Sequence, residues 1–161
     1  MSTERKLRVG VLGPGTAAAE TIALAKQVGA EIARQGAILV CGGLGGVMEA
    51  AAHGAKQAGG LTVGIVPGVD AREANAFIDV PVVTGMGEAR NALVVRSSNV
   101  VIAIAGSYGT LSEIALALKI GVPVVGLGTW ELRSPDGTEP PIIRASSPQE
   151  AVSRAVEAVR W

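Results

Sequence analysis

The sequence predicts an α/β protein in which a doubly wound parallel sheet is covered by helices on both faces. Apolar runs of strand length alternate with helical patterns along most of the chain, as expected for successive strand–helix–strand units. The chain is 48% hydrophobic but contains only four aromatic residues. A core built from Ala, Val, Ile and Leu suits helices that pack closely on a parallel sheet.

The apolar runs place six strands, and the helical patterns place five helices between and after them. The C-terminal helix begins at Ser147, where Ser147-Pro148-Gln149-Glu150 combines an N-cap serine, a proline in the first turn and a capping-box glutamate. Residues 128–144 are rich in Pro, Gly and charge, which indicates either a lid or a surface excursion. The predicted strands cover 7–12, 37–41, 61–66, 77–83, 100–104 and 122–127, and the other helices cover 17–34, 47–58, 88–97 and 111–120.

The bulk composition limits the possible functions. A length of 161 residues fits one domain over 1–161. The 14 basic and 14 acidic side chains cancel, so neither the charge nor the few aromatic residues favour binding to nucleic acid. A single cysteine excludes an internal disulfide and a multi-cysteine metal site, and no metal or cofactor is expected to be required for folding. The polar N-terminus and the lack of a membrane-length apolar run predict a cytoplasmic protein.

Three glycine-rich turns follow predicted strands, and the carboxyl ends of parallel strands are where such sheets bind ligands. Each turn leads into a helix, whose first N–H groups and dipole attract anions such as phosphate. We refer to these turns as the first loop (13–16), the second loop (42–46) and the third loop (105–110). The candidate ligand-binding residues are Gly13, Gly15 and Thr16 in the first loop, Gly42, Gly43, Gly45 and Gly46 in the second, and Gly106, Ser107, Tyr108, Gly109 and Thr110 in the third.

Two familiar nucleotide motifs do not fit these loops. Gly13-x-Gly15-x-x-Ala18 imitates a dinucleotide fingerprint, but the second strand ends in Cys41-Gly42 where an acidic residue should hold the ribose. No loop ends in the Gly-Lys-Ser/Thr of an ATPase. The second loop has four glycines in five residues, which indicates either close packing or close approach of a ligand to the backbone, and we favour the ligand.

Two charged residues are candidates for chemistry at this edge. Thr110-x-x-Glu113 matches a capping box, so Glu113 has a capping role, a role in the site, or both. Near a helix N-terminus its carboxylate is expected to stay ionised, which suits contacts to sugar hydroxyls better than proton donation. Arg90 lies where a connection enters a helix, either as a phosphate clamp or as a solvated surface arginine.

Together these residues resemble the LONELY GUY and molybdenum-cofactor-carrier superfamily of small Rossmann-like proteins. The family signature Pro-Gly-Gly-x-Gly-Thr-x-x-Glu corresponds to residues 105–113, and its upstream arginine corresponds to Arg90, twenty residues before Thr110. Residues 41–49 resemble its other glycine motif. Three positions differ from the family, because Ala105 replaces a proline, Ser107 replaces a glycine and Asn91 replaces a lysine.

The resemblance implies two functions. In the carrier-like branch, which the departures favour, the protein would bind a phosphorylated ligand, with molybdenum cofactor the best candidate. Arg90, Asn91 and Glu113 would bind that ligand together with the glycine loops. In the LONELY GUY branch, Arg90 and Glu113 would be the catalytic pair that hydrolyses a nucleoside 5′-monophosphate to free base and ribose 5-phosphate. Relatives also form homo-oligomers, so a dimer or tetramer is expected. Single-stranded DNA binding, as in the more distant DprA proteins, is disfavoured by charge and composition.

Overall fold

Seven parallel strands form a single sheet in the computed structural model, which describes residues 4–159. The first and last residues of the predicted 1–161 domain lie outside that range. The strand order is β4-β3-β2-β1-β5-β6-β7, so the chain winds outward from β1 in one direction and from β5 in the other. The strands are β1 (Arg8–Leu12), β2 (Ile38–Cys41), β3 (Thr62–Val66), β4 (Val80–Val83), β5 (Val100–Ile104), β6 (Val124–Leu127) and β7 (Ile142–Ala145).

Helices cover both faces of this sheet, which confirms the predicted fold class. Alternate strand residues point to opposite faces: Ile102 packs in one buried cluster, and its neighbour Val101 packs in the other. The first cluster lies under α1 (Ala19–Arg34), α2 (Val47–Gln57) and α5 (Pro148–Ala158). The second lies under α3 (Asn91–Arg96) and α4 (Tyr108–Ile120). The buried hydrophobic residues are aliphatic apart from Cys41, as the composition predicts.

Helices α1 and α2 cross at unusually short range because two glycines remove the side chains between them. A Cβ placed on Gly29 would lie 1.8 Å from the backbone oxygen of Ala51. A Cβ on Gly54 would lie 1.8 Å from the backbone oxygen of Lys26. The two helix backbones therefore touch, and neither position has room for a larger residue.

Apart from shifts of one to three residues at the ends of several elements, including α4, which begins at Tyr108, the structure differs from the sequence prediction in three places. The predicted irregular segment 128–144 ends in β7, which pairs parallel to β6 and extends the sheet by a strand. This strand has only four residues and directly follows two prolines, so hydrophobic periodicity does not reveal it. The predicted helix 88–97 is a 3₁₀ turn (Gly87–Arg90) followed by the short α3. The predicted strand 77–83 is shorter, since only β4 pairs with β3.

The C-terminal helix has the predicted cap. The Glu150 N–H donates to the Ser147 hydroxyl at 3.1 Å, and Pro148 occupies the first turn. The Glu150 carboxylate accepts from Ser146 rather than from Ser147, and these hydrogen bonds lower its pKa to about 2. Across residues 4–159, no helix combines the length and apolarity needed to cross a membrane.

Candidate ligand-binding site

The three glycine loops lie at the same edge of the sheet, because each follows the carboxyl end of a parallel strand. The first loop follows β1 and the third follows β5, the adjacent strands between which the winding direction reverses. The second loop follows β2, next to β1. This is the switch point at which ligands bind in doubly wound sheets.

The first and second loops contact each other through backbone atoms. The Val47 N–H donates to the Pro14 oxygen at 3.1 Å. Gly46 has φ of +64°, and a Cβ there would lie 2.3 Å from the same oxygen. A Cβ on Gly45 would lie 3.3 Å from the Gly15 oxygen. The two loops therefore form one rigid unit, in which Gly46 is required by backbone geometry.

Packing within the protein accounts for the other glycines of this unit, with one exception. A Cβ on Gly13 would meet the Val47 side chain at 2.5 Å. Gly43 has φ of +78°, and a Cβ on Gly42 would lie 2.9 Å from Nη2 of Arg90. Gly15 instead faces open space, with no atom within 4 Å of a Cβ placed on it. Close packing therefore explains the glycines of the second loop, while a ligand contact remains a prediction there and at Gly15 and the exposed Thr16.

Asn75, which no sequence motif indicates, holds the second loop from the opposite side. Its side-chain amide donates to the Leu44 oxygen at 2.9 Å, and its N–H donates to the Gly43 oxygen at 2.9 Å. Its own side-chain oxygen accepts from the Phe77 N–H at 3.0 Å. Two carbonyl groups of the loop are thereby engaged by one residue of the β3–β4 connection.

Arg90 is buried at this edge and is not a solvated surface residue. Its side chain is 8% exposed and packs against Gly42, whose oxygen lies 3.5 Å from Nη2. Nη1 donates to the Asn91 side chain, whereas Nε has no hydrogen-bond partner within residues 4–159. Burial lowers the pKa of Arg90, and the nearby Glu113 partly opposes that change. A buried cation with an unpartnered donor is suited to receive an anion.

Glu113 lies on the second turn of α4 and differs from the sequence expectation. Burial raises the pKa of this carboxyl group to about 7, and the charge of Arg90 opposes the rise. The prediction that Glu113 stays ionised is therefore wrong, because loss of solvent outweighs the helix dipole. Within the described chain, no ion pair of 4.0 Å or less joins Glu113 to Arg90. At neutral pH the group is able either to give or to accept a proton.

The cap of α4 is made by Ser107 and Thr110, not by Glu113. The Ser107 N–H donates to the Thr110 hydroxyl at 3.4 Å, and the two hydroxyl oxygens also lie 3.4 Å apart. Thr110 is buried, and Ser107 sits at the N-cap. The capping interpretation of Glu113 is therefore wrong, which leaves its carboxyl group free for the site.

Two further residues, Thr129 and Trp130, belong to the wall of the third loop. The Trp130 indole N–H donates to the Ser107 oxygen at 3.1 Å, and a Cβ on Gly106 would lie 2.5 Å from that indole nitrogen. The Thr129 hydroxyl donates to the oxygen of Ala105, which has φ of +53°. The first residues of the 128–144 segment thus pack on the third loop, and its last residues form β7, so the irregular part is limited to 131–141.

A cavity of about 500 Å³ lies between α3 and α4, beside the third loop. Four of the predicted site residues line this cavity, namely Asn91, Tyr108, Gly109 and Glu113. The first and second loops, together with Arg90, form a separate group. The side chains of Asn91 and Glu113 supply polar atoms, and Tyr108 supplies an exposed ring. The lining residues are Glu88, Ala89, Asn91, Ala92, Tyr108, Gly109, Ser112, Glu113 and Leu116.

Cys41 and His53 make packing contacts. Burial raises the pKa of the Cys41 thiol to about 11, so it packs as a small apolar group. His53 stacks on Phe77 with ring centroids 4.1 Å apart. In the part of the chain that the structure describes, no three His, Cys, Asp or Glu side chains are grouped to hold a metal ion.

Known proteins resemble this chain along almost all of its length. An uncharacterized protein of Archaeoglobus fulgidus is 42% identical over 155 residues, which cover 93% of this chain and 95% of the relative. The molybdenum cofactor binding protein of Rippkaea orientalis superposes with a TM-score of 0.89 at 39% identity, covering 98% of this chain and 100% of that one. The molybdenum cofactor carrier protein of Chlamydomonas reinhardtii has a TM-score of 0.84 at 37% identity, with 96% and 99% covered.

A more distant likeness is limited to the fold. DNA processing protein A of Helicobacter pylori has a TM-score of 0.68 at 19% identity, covering 94% of this chain and 80% of that one.

The family model of the SLOG cluster4 family matches residues 6–152, which is nearly the whole described chain. With a fold of the predicted class and relatives above 35% identity, this chain belongs to the SLOG cluster4 family, a group consistent with the predicted molybdenum-cofactor-carrier-like superfamily.

Proposed function

We propose that this protein binds molybdenum cofactor, a pterin with a phosphate group, and holds it without turning it over. The observation that carries the proposal is the buried Arg90 guanidinium, whose Nε has no partner in the described chain. It packs against Gly42 of the second loop, at the edge of the sheet where the winding direction reverses. The resemblance to a molybdenum cofactor binding protein over the whole chain supports the same conclusion.

The residues at this edge fit a phosphorylated group. An unpartnered arginine N–H is a strong donor to a phosphate oxygen, and the exposed Gly15 leaves open space beside the first loop. Helix α1 begins at Ala19 with no side chain capping its first N–H groups. Those groups and the helix dipole favour a negative charge.

In this proposal Arg90 and the first two loops hold the phosphate, while the cavity beside the third loop holds the ring. Asn91 fixes the guanidinium through its side-chain oxygen, so it acts on the phosphate through Arg90. Asn75 keeps the second loop in place. When bound, the cofactor would supply a molybdenum centre for the redox chemistry of an enzyme that receives it.

The test is to purify the protein from cells that make the cofactor and to measure bound molybdenum and pterin together. The wild-type chain should retain both in equal amounts. Arg90→Met should lower retention about tenfold or more, because it removes a charge-assisted contact. Arg96→Met is the matched control, since Arg96 is exposed at the end of the following helix α3 and its substitution should leave retention unchanged. A wild-type protein that retains no cofactor would refute the proposal.

A second candidate function is hydrolysis of a nucleoside 5′-monophosphate, and the pKa of Glu113 favours it. A group with a pKa of about 7 can protonate the leaving base or, when ionised, stabilise an oxocarbenium-like sugar. Water then adds to the ribose carbon, so that AMP and water give adenine and ribose 5-phosphate. Arg90 would hold the phosphate, as in the first proposal.

Chromatography of the protein incubated with AMP distinguishes this activity from binding. The hydrolase proposal expects free adenine from the wild type and none from Glu113→Ala. Glu88→Ala is the control, because Glu88 lines the same cavity with an exposed carboxylate. Adenine release that survives in Glu113→Ala, or is absent from the wild type, rejects this candidate.

We also infer a cytoplasmic homo-oligomer, a dimer or tetramer, on the strength of the family resemblance. The structure adds an apolar surface on the edge strand β4, where Val80, Val82 and Val83 are exposed. By contrast, the apolar side chains of α3 are accounted for by burial, since Val94 and Val95 lie in the core. Light scattering of the eluted protein measures the mass directly and would show a monomer if the inference is wrong.

A further inference from the structure

Two of the four aromatic side chains lie together at the carboxyl edge of the sheet. The rings of Tyr108 and Trp130 have centroids 5.9 Å apart and planes inclined by 32°. Tyr108 is 82% exposed, so the ring contributes little to the core. A large aromatic side chain held at the surface by a second one is a feature that folding alone does not require.

Trp130 is fixed by contacts on three sides. Its indole N–H donates to the Ser107 oxygen at 3.1 Å, and its backbone oxygen accepts from Nη2 of Arg144 at 2.8 Å. The missing side chain of Gly106 leaves the space that the indole fills, since a Cβ there would lie 2.5 Å from the indole nitrogen. Trp130 is therefore a rigid support against which Tyr108 rests.

Tyr108 lines the cavity between α3 and α4. The volume of about 500 Å³ is in the range of small-molecule sites. Asn91, Ser112 and Glu113 place an amide, a hydroxyl and a carboxyl group around the same cavity. A flat ring lying against Tyr108 would thus meet hydrogen-bonding groups at its edge, in the arrangement that binds nitrogen heterocycles.

We propose that Tyr108 is the stacking surface for the flat nitrogen heterocycle of a phosphorylated ligand, and that Trp130 is the positioning residue that holds Tyr108. The inference rests on the proposed function for the phosphate end of the ligand and adds how the ring end is recognised. Pterins and purines both present such a ring. The ring edge then pairs with the polar groups of the cavity.

Calorimetric titration with a pterin monophosphate, with AMP and with ribose 5-phosphate tests the stacking role. Tyr108→Ala should weaken the better-bound ring ligand about tenfold or more, the usual contribution of one aromatic stack. Binding of ribose 5-phosphate, which has no ring, should change less than about twofold. Tyr108→Phe is the matched control, because it keeps the ring and should retain wild-type affinity. The preference between the first two probes identifies the ring class.

Tryptophan fluorescence tests the positioning role of Trp130. In a Trp161→Phe background the emission comes from Trp130 alone. Ring ligands should quench this emission and ribose 5-phosphate should not. Trp130→Leu should weaken the ring ligand but not ribose 5-phosphate, whereas Trp130→Phe, which keeps a supporting ring, should restore most of the affinity. A merely structural role would change the affinity for both classes of ligand together.

The outcomes separate this inference from the proposed function. If Tyr108→Ala leaves ring binding unchanged, or weakens ring and ringless ligands equally, the stacking role is overturned. Cofactor retained by the wild-type protein would still support the carrier function in that case. If the wild type binds neither ring ligand, the inference is overturned as well. If ring ligands bind through Tyr108 but no molybdenum cofactor is retained, the carrier function fails and the stacking role stands.

Discussion

The two faces of the sheet differ in what they bury. Under α1, α2 and α5, two helix backbones touch through Gly29 and Gly54. The α3–α4 side adjoins the buried Arg90, the Glu113 carboxyl group and the cavity. The first face is built for close packing, whereas the second keeps charge out of water at a cost in stability. The comparison indicates where stability and binding should be separable by mutation.

The largest expected effect is on the close-packed face. Gly29→Ala would force a Cβ to within 1.8 Å of the Ala51 oxygen, so the two helices must separate. We expect a loss of about 3 kcal/mol or more in the free energy of unfolding, at the upper end for an overpacked core. Urea denaturation measures this loss. A loss below about 1 kcal/mol would show that the α1–α2 contact is readily relaxed.

The next largest effect is expected at Glu113, on the α3–α4 face, where a substitution should raise the free energy of unfolding. The pKa of Glu113 is raised from 4.5 to about 7 in the folded state, so the folded protein holds a proton that the unfolded chain has lost between these pH values. The stability linked to this group is therefore fully present below about pH 4.5 and is lost as the pH rises to about 7. Glu113→Gln does not titrate, and should be about 1–3 kcal/mol more stable than wild type at pH 8.

Denaturation of Glu113→Gln and wild type at several pH values measures this difference. The two proteins should converge at pH 4, where both side chains are neutral. A difference of equal size at all pH values would indicate a packing effect and contradict the burial of a charge at Glu113.

A smaller gain is expected at the third loop. Ala105 has φ of +53°, a left-handed conformation that costs a residue with a Cβ about 1 kcal/mol. Ala105→Gly should relieve this strain and raise the free energy of unfolding by about 0.5–1 kcal/mol. Thermal denaturation is sensitive enough to detect the change. A lower stability would show that contacts of the Ala105 methyl group outweigh the strain.

The smallest effect on stability is expected at Gly15, where a Cβ would meet no atom within 4 Å. Gly15→Ala should change the free energy of unfolding by less than about 0.5 kcal/mol. The same methyl group would stand in the open space that we assign to the ligand, so retention of the cofactor should fall. This pair of results contrasts directly with Gly29→Ala. Unchanged retention would remove the first loop from the proposed site.

Much of the candidate site follows from local sequence, and the misses have physical causes. Glycine turns after apolar runs predict the three loops, and the family resemblance singles out Arg90, twenty residues before Thr110. Asn75 and Trp130 carry no motif, because their role is to bond backbone oxygens of loops distant in sequence. The pattern Thr110-x-x-Glu113 predicts a capping role for Glu113. In the structure the cap partner of Thr110 is Ser107, one turn earlier, whose N–H donates to the Thr110 hydroxyl.

By itself, the sequence determined the alternation of strands and helices, the aliphatic core and the family, since these depend on periodicity and on residues close together in the chain. Tertiary structure decided the properties of Arg90 and Glu113. Arg90 meets Gly42 across 48 positions of sequence, and burial shifts the pKa values of both Arg90 and Glu113. Desolvation depends on every neighbour in space, so no local pattern reveals it.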